Sequence, residues 1–357
     1  MTPTPSRARR NALARSLGLG EKLFASSEER RFADEIERGL ERVEAGLLEA
    51  TRFNDDLADV TSRYLLEAGG KRIRPVLTLL TAQLGEGNND AVLTAAQVVE
   101  ITHLASLYHD DVMDEATLRR GVPSAQSVWG NSVAILTGDL LFARASVLVS
   151  SLGERALRVQ ARTFERLVLG QLHETIGPAP GEDPIDHYLQ VLADKTGSLI
   201  ASAAEVGVIF SDAPVEYREP LSVFGEKIGV AFQLIDDIID LSGEVEQTGK
   251  AAGTDLRAGV ATLPLLYLRD RAPGDPAAAA LLDRIDRAIQ ATADGIEVDA
   301  DFDGAVAELR EHPVTDATLA EARRWAADAV AALEPLPDGP VKKALAKFAE
   351  TVVERSN

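Results

Sequence analysis

A chain of 357 residues, 45% hydrophobic and 26% charged, has the balance of a soluble globular protein and length enough to bury a sizeable core. Its formal net charge of −20 argues against a nucleic-acid partner, because phosphate binding rests on a surplus of Lys and Arg, and any anionic ligand must therefore be met by local cations. With no cysteine, disulfides, thiolate metal sites and a cysteine nucleophile are excluded.

Residues 1–25 are basic but lack the apolar core and cleavage site of a secretory signal, and are expected to be a mobile tail on a cytoplasmic protein. Ser26 and Glu29 form a capping-box pattern, after which Phe32, Ile36, Leu40, Val43 and Leu47 recur at helical spacing. A second helix is predicted from Asp55 to Ala68, stopped by Gly69-Gly70, and Pro75 suits the first turn of another. Asn89 or Asp90 caps a third long helix through TAAQVVEITHLASLYHDDVMD. Further helices are predicted near 132–151, 154–176, 185–211, 216–242, 262–270, 277–293, 302–311, 315–333 and 339–354. Alternating strands and Asn-Gly or Asp-Gly hairpin turns are absent, so the fold is expected to be all-α, with residues 26–357 as one domain. No run of about 18 apolar residues is present to span a membrane. The longest candidate, LIASAAEVGVIF, is broken by Glu205.

One motif occurs twice. HDDVMD at 109–114 and IDDIID at 235–240 each carry Asp at i, i+1 and i+4, which puts Asp110 with Asp114, and Asp236 with Asp240, on one helix face. The second lies in GVAFQLIDDIIDL, apolar except for Gln233 and its aspartates, and half-buried carboxylates without a partner are costly. A hard divalent cation is a suitable partner: Mg²⁺ takes oxygen ligands and is held by one or two carboxylates plus substrate phosphate oxygens. A lone copy reads best as a solvated acidic turn; two in apolar helices do not. Cations suited to a diphosphate lie nearby in sequence: Lys71, Arg72 and Arg74 in GGKRIRP, Arg119 and Arg120 after the first motif, Lys195 in ADKTGS and Lys250 in the glycine-rich loop after the second.

GGKRIRP, HLASLYHDDVMDEATLRRG, GDLLFARA, KTGSL and FQLIDDIIDL followed by GKAAGTDLRAGVATLPLL, in that order over roughly residues 35–355, resemble the trans-polyprenyl diphosphate synthases of the polyprenyl synthetase family. The resemblance implies an isoprenoid synthase class I helical bundle around a central cavity, a homodimer, and three Mg²⁺ ions, with Mn²⁺ able to substitute. It assigns Asp110, Asp114 and Asp236 to the metals, with Asp111 and Asp240 in support, and places Arg119, Lys195, Thr196, Gln233 and Lys250 on the diphosphate of the allylic substrate. Lys71, Arg74, His103 and Arg120 match positions that hold isopentenyl diphosphate, and Arg72 belongs to the same loop. Asp110, Asp114, Lys195 and Asp236 are the catalytic set. His103 taken alone reads as a core histidine. Val260 departs from the family, whose members commonly carry lysine there.

Ala105 and Ser106, one turn before Asp110, are the candidate chain-length residues. Long-chain relatives tend to have small residues there and short-chain relatives aromatics. The expected product is a hexaprenyl to decaprenyl diphosphate, handed to a membrane as a precursor of a quinone (menaquinone) side chain. The alternatives are a geranylgeranyl or farnesyl diphosphate synthase, a class I terpene cyclase, a non-catalytic synthase subunit, or an acidic metal-binding scaffold. A cyclase would not need GGKRIRP and His103, a non-catalytic subunit would lose aspartates, and a scaffold leaves the flanking cations unexplained.

Overall fold

A computed structural model describes residues 27–242, 252–293 and 300–354. The Ser26 cap, the tail and Lys250 lie outside the described residues. The chain divides into two compact units.

The first unit comprises Met1–Glu165, Ser198–Gly225 and Val330–Phe348. It contains α1 (Ser27–Ala50), α2 (Asp56–Glu67), α3 (Ile73–Thr81), α4 (Asp90–Met113), α5 (Ala125–Trp129) and α6 (Asn131–Ser150). To it also belong the start of α7 (Glu154–Ile176), α9 (Ser198–Phe210) and the first turns of α10 (Arg218–Ser242). Asp55 starts α2 by accepting from Ala58 N at 2.9 Å, and Asn89 starts α4 by accepting from Val92 N at 2.9 Å, each supplying an acceptor for an end N–H with no partner in its own helix. Helix α4 is apolar nearly all round because α1, α3, α6 and α9 pack on it from different sides. Against α6 the approach is close: a Cβ on Gly138 would lie 2.3 Å from His109 Nε2.

The second unit comprises Arg166–Gly197, Glu226–Ala329 and Ala349–Asn357. It holds α8 (Pro184–Leu192), α11 (Thr254–Arg257), α12 (Leu263–Arg271), α13 (Pro276–Ala293), α14 (Ala300–Arg310) and most of α15 (Pro313–Ala332), and it shares α7, α10 and α16 (Pro340–Glu354) with the first. Leu241, Leu256, Leu268, Ile285 and Phe302 form one core cluster, and Val230, Leu234, Ile235 and Leu263 another.

The structure departs from the sequence reading at two places. The predicted helix 185–211 is interrupted by a π-helical segment, Ala193–Gly197. The connection after α4 contains the short helix α5 and a hairpin, β1 (Leu118–Arg119) against β2 (Val122–Pro123). Its two turn residues, Arg120 (φ 55) and Gly121 (φ 76), are both left-handed, as a two-residue turn of this kind requires. Arginine is not a usual residue there, and the hydrogen bonds of its side chain offset the strain. Helices α4 and α6 are long and apolar enough to cross a membrane by length and composition alone, a test that the core helix of a globular fold also passes. Neither is an uninterrupted apolar run, since Glu100 breaks α4 and Asp139 and Arg144 break α6.

Candidate active site

In the first unit, the loop Gly69–Arg72 brings α2 to α3 with backbone φ values of 111, 152 and 53 at Gly69, Gly70 and Arg72. A side chain at Gly70 would collide with the Arg72 guanidinium at 2.4 Å. Arg72 is buried, and its donors are spent on the protein: Nε to Glu44 Oε1 at 2.5 Å, Nη1 to Gly69 O at 3.1 Å and Glu100 Oε1 at 3.3 Å, Nη2 to Leu66 O at 3.1 Å. Burial alone would lower its pKa, but the charges of Glu100 and Glu44 more than offset this and hold it above the usual value. Arg72 thus shapes the loop from beneath, whereas Lys71 beside it is exposed.

Arg74 behaves differently. Its Nε is buried with no hydrogen-bond partner among the described residues, and burial lowers its pKa, with only the charge of Glu100 opposing. Such an unsatisfied buried donor calls for an acceptor from outside the chain. Nearby, Arg120 donates from Nη1 to Leu65 O at 2.6 Å and to Gly69 O, while burial, opposed by the charge of Glu100 and reinforced by Arg72, Arg74 and Arg119, brings its pKa down to about 10. His103 is driven well below the ordinary histidine range by burial first, then by Arg74, Arg120, Arg72 and Arg119, so its ring is neutral at physiological pH. These side chains of GGKRIRP, α4 and the hairpin form one cationic cluster, a fit for a phosphate anion.

The first acidic motif closes α4. Asp110 is half-buried, and Asp114 is the exposed C-cap residue whose N–H donates to Asp110 O at 2.8 Å. Asp111 is fully buried on the other side, held by Arg119 Nε at 2.6 Å, with its Oδ2 lacking a hydrogen-bond partner. Burial raises its pKa and Arg119 opposes the rise. Farther back on α4, Ala105 is fully buried and Ser106 is 7% exposed, its hydroxyl turned onto His103 O at 2.9 Å. Ala95, Val98 and Val99, three and four turns from Asp110, line an apolar crevice with Val149, Val159 and Val206.

In the second unit, Gln233, Asp236 and Asp240 lie half-buried on α10. Asp240 anchors the return from the glycine-rich loop, its main-chain oxygen accepting from Gly253 N at 2.8 Å and its Oδ2 from Asp255 N at 3.1 Å. The middle aspartate, Asp237, escaped the sequence reading: it is buried and accepts from Tyr188 Oη at 2.6 Å. Burial pushes its carboxyl up to about 8. Tyr188 is 49 positions away in sequence, and no spacing signals the pair. Lys195 and Thr196 sit on the π-helical segment, half-buried, and Lys195 Nζ bonds Glu174 Oε2 at 2.5 Å. Val260 is 40% exposed at the end of the turn after α11.

Among the described residues no group of three or more His, Cys, Asp or Glu side chains could hold a metal ion unaided. The donor set nevertheless fits a hard cation that fills its coordination with water and phosphate oxygens, since each motif offers carboxylate oxygens one helical turn apart. The unpartnered Oδ2 of buried Asp111 adds an acceptor at the first of them.

A largely helical architecture, a doubled acidic motif and a cationic cluster together have the donor chemistry suited to a diphosphate. The polyprenyl synthetase family profile matches residues 55–295. A nonaprenyl diphosphate synthase of Mycobacterium tuberculosis is 44% identical over 326 residues, 91% of this chain and 94% of that one. Among solved structures, a polyprenyl synthase from Caulobacter crescentus complexed with calcium and isoprenyl diphosphate superposes with a TM-score of 0.81 at 34% identity, covering 92% of this chain and 98% of that one. A geranylgeranyl pyrophosphate synthase from Corynebacterium glutamicum, also complexed with calcium and isoprenyl diphosphate, matches at 42% identity with a TM-score of 0.78, covering 91% and 98%. The chain belongs to the polyprenyl synthetase family, whose members are prenyltransferases, and has the helical fold of isoprenoid synthases.

Proposed function

We propose that the chain is a long-chain (E)-polyprenyl diphosphate synthase that adds isopentenyl diphosphate units to an allylic diphosphate, serving a quinone (menaquinone) side chain. The observation that carries this reading is the cationic cluster around Arg74 and neutral His103, present in addition to the acidic turns: an enzyme that only ionises one diphosphate does not need a second anion site. Asp110, Asp114 and Asp236, supported by Asp111 and Asp240, are the proposed ligands of Mg²⁺, with three ions and Mn²⁺ as a substitute. When bound, the ions neutralise the diphosphate and ease its departure. Lys195, Arg119, Thr196, Gln233 and Lys250 hold the allylic diphosphate. Lys71, Arg74, His103 and Arg120 hold that of isopentenyl diphosphate, with Arg72 fixing their loop. The allylic carbon–oxygen bond ionises in a site that excludes water, the isopentenyl double bond attacks the cation, and the departing diphosphate removes the proton.

Incubating the purified chain with farnesyl and isopentenyl diphosphates and Mg²⁺, then resolving the dephosphorylated products, tests the reading. Hexaprenyl to decaprenyl alcohols are expected. Cyclic products point to a cyclase, elongation that stops at a C20 alcohol to a short-chain synthase, and no turnover to a non-catalytic subunit; each would overturn it.

The two anion sites also predict separable defects. Lys71→Ala or Arg74→Ala should raise KM for isopentenyl diphosphate by about tenfold to a hundredfold, and Lys195→Ala should raise KM for the allylic substrate similarly, as expected for loss of ~1.5–3 kcal/mol of charge-assisted contact. Steady-state kinetics with each substrate varied in turn reads the split; equal effects on both would contradict it.

A homodimer is proposed as well. Ile135, Leu136 and Val147 on α6 are 42%, 62% and 62% exposed, an apolar face suited to burial against a second copy. Sedimentation equilibrium without detergent should give a dimer that Leu136→Glu with Val147→Glu dissociates; a wild-type monomer at micromolar concentration would refute this.

A further inference from the structure

The π-helical segment Ala193–Gly197 carries both Lys195 and Thr196, and such turns are uncommon and concentrate at functional sites. It is held from α7. Arg166 donates from Nε to Asp194 Oδ1 at 2.6 Å and from Nη1 to Glu226 Oε2 at 2.6 Å, and its Nη2 reaches Ala193 O at 3.5 Å. Gln190 donates to the other Asp194 oxygen at 2.8 Å, so both oxygens of that carboxylate are tied. Two glycines let the backbones close around the segment. A Cβ on Gly170, one turn beyond Arg166, would meet Lys195 N at 2.7 Å, and one on Gly197 would meet Glu226 O at 2.9 Å. A guanidinium can bridge two carboxylates in fixed planar geometry. Removing it would leave Asp194 and Glu226 without that counter-charge beside a lysine whose proposed ligand is an anion.

We infer that Arg166 is a positioning residue for the reaction: by bridging Asp194 and Glu226 it fixes the π turn and neutralises Asp194, so that Lys195 and Thr196 are presented to the allylic diphosphate. The inference rests on the role proposed above for Lys195. Arg166 acts only through the turn. Arg162, one turn earlier on α7, provides the control, since its ion pair of 2.7 Å runs to Glu205.

The test is steady-state kinetics of the full chain with each substrate varied, on Arg166→Ala, Gly170→Ala, Lys195→Ala, Arg162→Ala and the Arg166→Ala/Lys195→Ala double variant, with thermal melts alongside. Arg166→Ala should raise KM for the allylic diphosphate by about tenfold and leave KM for isopentenyl diphosphate within about twofold. In the double variant the added effect of Arg166→Ala should shrink to about twofold or less, because both changes act on one interaction. Gly170→Ala keeps every charge but crowds Lys195 N, and should shift the same KM in the same direction, which covers the case in which Arg166→Ala does not fold. Arg162→Ala should leave the allylic KM unchanged. A folded Arg166→Ala that lowers the melting temperature without the KM split, effects that add in the double variant, or a silent Gly170→Ala would overturn the inference. A silent Lys195→Ala would instead overturn the reading of Lys195 on which it stands.

Discussion

Asp110→Ala and Asp236→Ala are each expected to lower turnover by at least about a thousandfold, or ~4 kcal/mol of transition-state stabilisation, while the fold persists. Asp110 is half-buried in the last turn of α4 and Asp236 half-buried on α10, so each change removes a carboxylate without opening a large core cavity. The loss should fall mainly on turnover, because charge on the leaving diphosphate is greatest in the transition state and that is where its neutralisation matters. Raising Mg²⁺ should restore only part of the rate. Single-turnover kinetics on variants whose circular dichroism and melting match wild type would decide it; near-wild-type rates from either would remove that aspartate from the site.

Ser106→Phe and Ala105→Phe are expected to convert the product rather than abolish the reaction. A helical turn advances about 5.4 Å, comparable to one extended isoprene unit, so a ring at either position stands in the path of a chain that grows back along α4. An apolar crevice beside Ala95, Val98 and Val99 lies farther back on the same helix. The competing reading is that small residues there merely allow helices to pack closely, and a phenylalanine would then cost ~1–3 kcal/mol of stability without changing product length. Chromatography of dephosphorylated products separates the two. Farnesyl or geranylgeranyl products with the first condensation retained support the path; a folded, active variant that still makes the full-length chain would end it. Relatives of 44% and 42% identity are named for products of different length, so overall similarity does not fix the product.

Helix periods were legible because the pattern of burial is local: Asp55 and Asn89 cap where their spacing says they should, and α7 runs over Glu154–Ile176 as its apolar repeat predicts. The acidic turns and the cationic stretches were legible for the same reason, being contiguous. What escaped depends on partners remote in sequence. Nothing around Arg72 announces that Glu44 and Glu100 will consume its guanidinium, and nothing in IDDIID singles out Asp237 as the member that turns inward to Tyr188. ADKTG contains no helix breaker before its glycine, yet it winds as a π turn because the neighbours that hold it are on other helices. Arg120 carries a left-handed turn for which its residue type gives no hint, its strain relieved by carbonyls that belong to α2 and its end.

The fastening of Arg72 limits what protein engineering can do with GGKRIRP. Grafting those seven residues onto another helical scaffold would transfer the positive charge but not the conformation, because the left-handed bend at Arg72 is stabilised by acids on α1 and α4. A transplanted loop should therefore bind inorganic diphosphate only weakly until counterparts of Glu44 and Glu100 travel with it. Titration calorimetry on grafts with and without the two glutamates would show whether the portable module is a heptapeptide or a heptapeptide plus its two distant anchors.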